Sequence, residues 1–349
     1  MFLRLLTACL LFTGISSAAP NIVFILADDL GYGDLRCYNE NGKIPTPCLD
    51  RMSAEGMRFT DAHSASAVCT PTRYALLTGR YCWRTRLKKG VLGGWSPHLI
   101  DEGQPTVASV LRQRGYMTAC IGKWHLGMDW PVRAGQLGDA IEPGKNWKEI
   151  DFSKPVSHGP VAAGFDTWFG ISASLDMPPF AFIRNDRLTG ELTATRTYLR
   201  TGPATADFSA EKVVPELVRE ACAFVRSRAV DGKPFFLYLP LTSPHTPVVP
   251  SEPWKGKCPV GPYGDFVMET DHAAGEVLDV LRETALDKNT LVLFASDNGA
   301  TPDNAGTLTK RGAGHLSNAP WRGAKSDIFE GGHRVPFIVR WPGVTPAGV

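Results

Sequence analysis

The sequence predicts an α/β protein built on a large, mostly parallel mixed β-sheet sandwiched between helices. Asn21 to Ala27 is an unbroken apolar run. A strand that is apolar on both faces belongs to a sheet covered on both sides, which is the habit of parallel sheets. Runs of strand length then alternate with helix-period segments down the chain, the pattern of a layered α/β sheet. Polar residues stand just past four of these strands: Asp28 and Asp29, Lys123 and His125, His245, and Asp297 and Asn298. Ligands of open α/β sheets bind at that carboxyl edge.

The first element is a leader. Arg4 precedes an apolar stretch from Leu5 to Ile15 and then Ser16-Ser17-Ala18-Ala19, so residues 1–18 read as a secretory signal peptide. The stretch is too short for a membrane span and no later one qualifies, so no transmembrane anchor is expected. The mature protein is expected to be secreted or periplasmic, or in another compartment of the secretory route.

After the strand Asn21–Ala27, Thr46-Pro47 starts a helix that runs to about Glu55 and stops at Gly56, with proline where a first turn tolerates it. Around Cys69, Thr70 can cap a helix that Pro71 opens and Tyr74-Ala75-Leu76-Leu77 continue. Thr106 to Arg114 reads as a helix closed by Gly115, and Tyr116 to Ile121 as the next strand. From Trp130 to Thr205 glycine, proline and weak periodicity predict long loops and short hairpins, a common place for substrate contacts. Ala210 to Arg228 is helical, and Pro234 to Leu239 is a strand leading to Ser243-Pro244-His245. Asp265 to Thr284 is a helix, Thr290 to Ala295 a strand, Ala300 to Pro320 a loop, and Arg334 to Arg340 the last strand.

The 37 basic and 35 acidic residues nearly cancel, and no long run of like charge appears, so a nucleic-acid partner is not expected. Removing the leader removes Cys9 from the eight cysteines and leaves an odd number. In a compartment that permits disulfides, at least one cysteine is then unpaired or chemically special. Cys37 with Cys48, or Cys222 with Cys258, are candidate pairs, and Cys120 sits in an apolar strand.

Asp28, Asp29, Asp297 and Asn298 offer only oxygen, the donor set of a hard divalent cation such as Ca2+ or Mg2+. Arg73, Lys123 and Lys325 beside such an ion would make a pocket for a dianion or for ester oxyanions. His125 and His245 are candidates for general base and general acid. Cys69 is placed to face a helix N-terminus, where an anion is favoured. His315, Lys310 and Arg311 would meet either an anionic sugar or solvent.

In order along the chain, these blocks resemble the formylglycine-dependent sulfatases, the arylsulfatase-like branch of the alkaline phosphatase superfamily. The blocks are Asn21 to Asp34, Val68-Cys69-Thr70-Pro71-Thr72-Arg73, Thr78-Gly79-Arg80, Gly122 to Gly127, and Gly164-Phe165-Asp166. Pro244-His245-Thr246-Pro247, Ser296 to Gly299, and Arg322-Gly323-Ala324-Lys325 through Gly332 complete the series. The resemblance implies that a formylglycine-generating enzyme reads the Cys-x-Pro-x-Arg core and converts Cys69 to formylglycine, 3-oxoalanine. Its hydrate would be the nucleophile for hydrolysis of a sulfate ester, of a sulfated carbohydrate or an aryl sulfate. Asp28, Asp29, Asp297 and Asn298, with residue 69, would be the metal ligands. Arg73 would hold the hydrate, and Lys123 and Lys325 would bind sulfate oxygens. His245 would assist the leaving alcohol, and His125 would deprotonate for sulfate expulsion. Ser174 or Ser172 would bond near the sulfate.

The alternatives are a phosphonate monoester or phosphodiester hydrolase of the same superfamily, a non-catalytic binder of sulfated glycans, and a cysteine hydrolase. Position 324 is alanine where glycine is frequent in the family. The sequence stops at Val349 after Trp341-Pro342-Gly343, so residues 19–349 read as a sulfatase catalytic domain without the family's small C-terminal antiparallel-sheet domain.

Overall fold

The computed structural model describes residues 19–132, 147–302 and 314–349. The expected leader over residues 1–18, Lys310 and Arg311 lie outside the described residues.

Eleven strands are seen among the described residues: β1 (Asn21–Asp28), β2 (Met57–Phe59), β3 (Met117–Lys123), β4 (Thr167–Ile171), β5 (Ile183–Arg184), β6 (Arg187–Leu188), β7 (Ala194–Tyr198), β8 (Arg200–Ala204), β9 (Phe235–Pro244), β10 (Thr290–Ser296) and β11 (Phe337–Arg340). The helices are α1 (Pro47–Glu55), α2 (Cys69–Thr78), α3 (Val107–Gln113), α4 (Val213–Asp231), α5 (Pro262–Glu283) and α6 (Glu330–His333). Nine strands form one sheet in the order β2-β11-β10-β1-β9-β3-β4-β5-β6, and β7 with β8 forms a separate hairpin. The five central strands are parallel. Antiparallel pairs close both edges.

Alternate residues of each strand serve opposite faces. Val23, Ile25 and Ala27 of β1 and Phe235, Leu237 and Leu239 of β9 pack in one core with α1, α4 and α5. Leu26, Phe236 and Tyr238 face the other way, into a core with Tyr74 and Leu77 of α2 and Ala108 of α3. Each fully buried Val, Leu, Ile or Phe side chain among these contributes about 1.5–3 kcal/mol over its exposed state. No helix among the described residues is long and apolar enough to cross a membrane.

Several boundaries differ from expectation for identifiable reasons. β9 runs from Phe235 to Pro244 rather than ending at Leu239, because it pairs with β1 as far as Asp28. α5 begins at Pro262, which takes a first-turn position, rather than at Asp265. α2 begins at Cys69 itself, so Thr70 is not its cap. The Thr70 hydroxyl instead donates to the carbonyl of His125 at 3.0 Å and accepts from the Leu92 N–H at 3.2 Å. The seven cysteines among the described residues are all free thiols. Neither Cys37 with Cys48 nor Cys222 with Cys258 is bonded. The Cys48 sulfur packs against Gly275 of α5, and that of Cys222 lies 3.8 Å from the Glu276 carbonyl.

Candidate active site

The sheet order makes β10, β1, β9 and β3 consecutive neighbours. Their parallel direction puts the residues after each carboxyl end at one edge. Asp28, Asp29, Lys123, His125, His245, Asp297 and Asn298 all gather there and all are buried. Two backbones turn sharply at this point: Asp29 has φ 63° and His125 φ 59°, in the left-handed region that costs a side chain free energy. The turn at β1 is held by the Asp29 N–H donating to Asp297 Oδ1 at 3.2 Å and the Leu30 N–H donating to Ser296 Oγ at 3.0 Å.

Cys69 enters from the first turn of α2, and Arg73 lies one turn on. The Arg73 guanidinium donates to Asp297 Oδ2 through Nε at 3.0 Å and Nη2 at 2.8 Å, and stands 3.3 Å from Asp28 Oδ1. Lys123 Nζ donates to both Asp28 oxygens at 2.9 and 2.7 Å. Lys325 Nζ donates to Asp29 at 2.8 Å, and His245 Nε2 lies 3.6 Å from Asp29 Oδ2. Asn298 Nδ2 donates to Asp29 Oδ1 at 2.7 Å. Ligand atoms of Asp28, Asp29, Cys69 and His245 all fall within 4.8 Å of one another.

Burial alone would raise the Asp28 carboxyl. Lys123, His245, Arg73 and Lys325 outweigh it and hold that carboxyl well below the usual range. At Asp297 burial dominates, and the Asp28 and Asp29 charges add to it, so this carboxyl is raised. Burial pushes the Cys69 thiol up to about 12, despite Lys123 nearby. Burial also lowers both imidazoles, His125 strongly, with Lys123 and Arg73 adding to the effect. The histidines are therefore neutral at neutral pH.

The donor set fits a hard cation. Asn298 Oδ1 is a buried acceptor with no partner, although its amide nitrogen is tied to Asp29. An orphaned carbonyl oxygen beside three buried carboxylates is what such an ion would take up. Three acids formally balance Arg73, Lys123 and Lys325, so a divalent ion would leave net positive charge for an anion.

His125 Nε2 lies 2.7 Å from the Leu92 carbonyl, which can only accept, so that nitrogen carries the hydrogen. Nδ1 is then a bare lone pair, buried and without a partner. The hydroxyls of Ser172 and Ser174, past the end of β4, are likewise buried and unpartnered. Both remain available for the role assigned to either.

His315 does not join the cluster's charge system. Its Nε2 bonds Asp34 Oδ1 at 2.8 Å, and its Nδ1 accepts from the Lys43 N–H at 3.4 Å. Tyr263 donates to the other Asp34 oxygen at 2.6 Å. With both ring nitrogens occupied and the side chain inaccessible, His315 is a structural tie, not a substrate contact. The sequence reading missed Leu92, whose carbonyl fixes the His125 tautomer. The adjacent Gly93-Gly94 was the available signal: a Cβ on Gly94 would strike the Pro178 carbonyl.

Fold and site together define an α/β protein with a central parallel sheet and a buried cluster of carboxylates, cations and histidines at its carboxyl edge. The chain belongs to the sulfatase family, whose model matches residues 20–349. It is 33% identical to an N-acetylgalactosamine-6-O-sulfatase of Bacteroides thetaiotaomicron, over 94% of this chain and 69% of that protein. It is 34% identical to the N-acetylgalactosamine-6-sulfatase of Canis lupus familiaris, over 94% of this chain and 58% of the relative. A solved structure concerned with glycosaminoglycan metabolism by Bacteroides thetaiotaomicron superposes with a TM-score of 0.81 at 31% identity. That match covers 95% of this chain and 74% of the other. The relatives are sulfuric ester hydrolases, and the chain spans under two thirds of the canine protein's length.

Proposed function

We propose that residues 19–349 form the catalytic domain of an exported hydrolase of sulfate esters, acting on a sulfated carbohydrate. N-acetylgalactosamine 6-sulfate, named in the relatives, is the first candidate. The observation that carries the reading is the buried cluster at the sheet edge, where Cys69 meets three acids, Asn298 and three cations. Asp28, Asp29, Asp297 and Asn298 would hold Ca2+ or Mg2+, which supplies Lewis acidity toward a sulfate oxygen. Cys69 is read as the precursor of formylglycine, installed by a formylglycine-generating enzyme, whose hydrate supplies the nucleophilic hydroxyl.

The other residues act around that centre. Lys123 and Lys325 exchange their carboxylate partners for sulfate oxygens and stabilise charge as the ester bond breaks. Arg73 stays charged between Asp28 and Asp297 and neutralises the residue-69 side. His245 donates its Nδ1–H to the Thr246 carbonyl and turns Nε2 toward Asp29 at 3.6 Å, so it would assist the leaving alcohol once Nε2 has taken up a proton. His125 offers Nδ1 as a ready base because its only hydrogen is committed to Leu92. Ser174 or Ser172 adds a hydroxyl donor. A thiol nucleophile is disfavoured, because a buried thiol pushed up to about 12 supplies almost no thiolate at neutral pH.

The test is mass spectrometry of the peptide spanning Cys69 from protein co-expressed with a maturation enzyme, with kinetics on aryl sulfate, aryl phosphate and 6-sulfated N-acetylgalactosamine. The aldehyde mass and preference for sulfate are expected, and Cys69→Ala should abolish turnover with circular dichroism unchanged. Full activity with an unmodified thiol, or preference for the phosphate ester, would overturn the reading.

A further inference from the structure

A second cluster lies outside the sheet-edge pocket. His63 follows β2, and His333 ends α6, three residues after Glu330. Backbone bonds clamp the two segments: the Ser64 N–H donates to the His333 carbonyl at 2.8 Å and the Val335 N–H to the Ala62 carbonyl at 3.0 Å. The two imidazoles meet with His63 Nδ1 and His333 Nδ1 2.9 Å apart.

The outer nitrogens decide what that contact means. His63 Nε2 lies 2.9 Å from Asp61 Oδ1, and His333 Nε2 lies 3.0 Å from the Ile328 carbonyl. A carboxylate and a carbonyl only accept, so both Nε2 atoms carry the hydrogen. Neutral rings would then aim two bare lone pairs at each other across 2.9 Å. That arrangement is repulsive unless the rings share a proton or a metal ion lies between or beside them. Two imidazole nitrogens bound to one ion at about 2.1 Å each would stand roughly 3.0–3.4 Å apart. The separation seen is near that value. Glu330 supplies a carboxylate oxygen within 4.8 Å of a ring nitrogen of each histidine, and Arg334 holds its Oε2 at 3.0 Å. An outer N–H donated to a carboxylate or carbonyl is also how metal-binding histidines are usually oriented.

We propose that His63 Nδ1, His333 Nδ1 and a Glu330 carboxylate oxygen form a binding site for a divalent transition-metal ion of the zinc class. Two imidazoles and one carboxylate suit that class and not calcium. The side chains are partly exposed, so an ion has access. The site is independent of the sulfatase reading, but its location has a consequence. The His63 segment leads directly to Cys69, and the α6 segment follows Lys325; the Ser326 N–H already bonds the Ala67 carbonyl at 2.9 Å. An ion here pins together the two stretches that deliver Cys69 and Lys325.

A third cluster provides the control. In it the Asp129 carboxylate sits between His98 and His158 and receives Nδ1 of each, at 2.8 and 2.7 Å. No lone pairs confront one another there, so no ion is called for.

The experiment titrates zinc into the full chain in excess Ca2+ by calorimetry, with Co2+ absorption as a spectroscopic readout and thermal unfolding alongside. The expected result is one zinc equivalent, ligand-field bands with Co2+, and a rise in melting temperature. His63→Gln and His333→Gln should lose all three signals, and His158→Gln should keep them. Asp61→Asn should bind about tenfold more weakly. Failure of the unaltered protein to bind zinc, binding that needs millimolar zinc, or binding untouched by both His63→Gln and His333→Gln would overturn the proposal. The pair would then be two imidazoles sharing one proton.

Discussion

His125 joins several lines of argument at the scale of one residue. Its backbone takes the left-handed conformation at φ 59°, its Nε2–H is committed to Leu92, and its Nδ1 is buried without a partner. Such a group persists only where the surroundings over-determine it, and such features collect at functional sites. It also makes stability depend on pH. Burial lowers its pKa well below 6.5 in the folded protein, while the unfolded chain takes up a proton near pH 6.5. Below that pH the unfolded state binds more protons, so stability falls as pH falls. The stabilisation is full above about pH 6.5 and is lost toward the depressed folded value. Urea unfolding in EDTA at pH 7.5, 6.5 and 5.5 should show His125→Gln losing part of the slope, up to about 1.4 kcal/mol per pH unit. Equal slopes in the two proteins would contradict this account. The sequence offered His125 as a candidate base after a strand, but not the carbonyl that fixes its tautomer or the burial that lowers its pKa.

At the scale of elements, what was legible depended on how much of a signal was local. β1, β3 and β10 are continuous apolar runs and were placed nearly to the residue. The short strands β2, β5 and β6 carry no such run; Met57–Phe59 is three residues, none fully buried. They exist only because neighbours pair with them. The close packing of β3 with its neighbours was equally hidden. Gly122, at φ 143°, approaches Pro240 of β9, and Gly170 of β4 approaches Gly122; a Cβ at either position would land on the facing carbonyl. These contacts are backbone to backbone, so no side chain can give way. Gly170→Ala should therefore destabilise the protein by about 1–3 kcal/mol, the cost of overpacking a tight core. It should also lower activity, because β3 carries Lys123. A denaturation midpoint equal to that of the unaltered protein would show that the strands can part without cost.

Across the whole molecule, the candidate site is a product of topology. Asp29 and Asp297 are 268 residues apart in sequence and in hydrogen-bond contact. The sequence supplied the polar strand ends but not the strand order that makes β10, β1, β9 and β3 consecutive. That order leaves a cluster whose charges balance without an ion, since Lys123 and Arg73 satisfy Asp28 and Asp297, and Lys325 satisfies Asp29. Removal of the proposed divalent cation then has two consequences. The fold should survive chelation, with far-ultraviolet circular dichroism unchanged, because no buried carboxylate is stranded. Anion binding should not survive intact, because a sulfate entering the ion-free pocket must compete with Asp28 and Asp29 for the two lysines. Calorimetry with inorganic sulfate should give an affinity about tenfold or more weaker after EDTA treatment than in Ca2+. Linkage requires sulfate to tighten Ca2+ by the same factor, so the reverse titration checks the first without any turnover. Equal sulfate affinity with and without Ca2+ would mean that the lysines are not the groups that change partners.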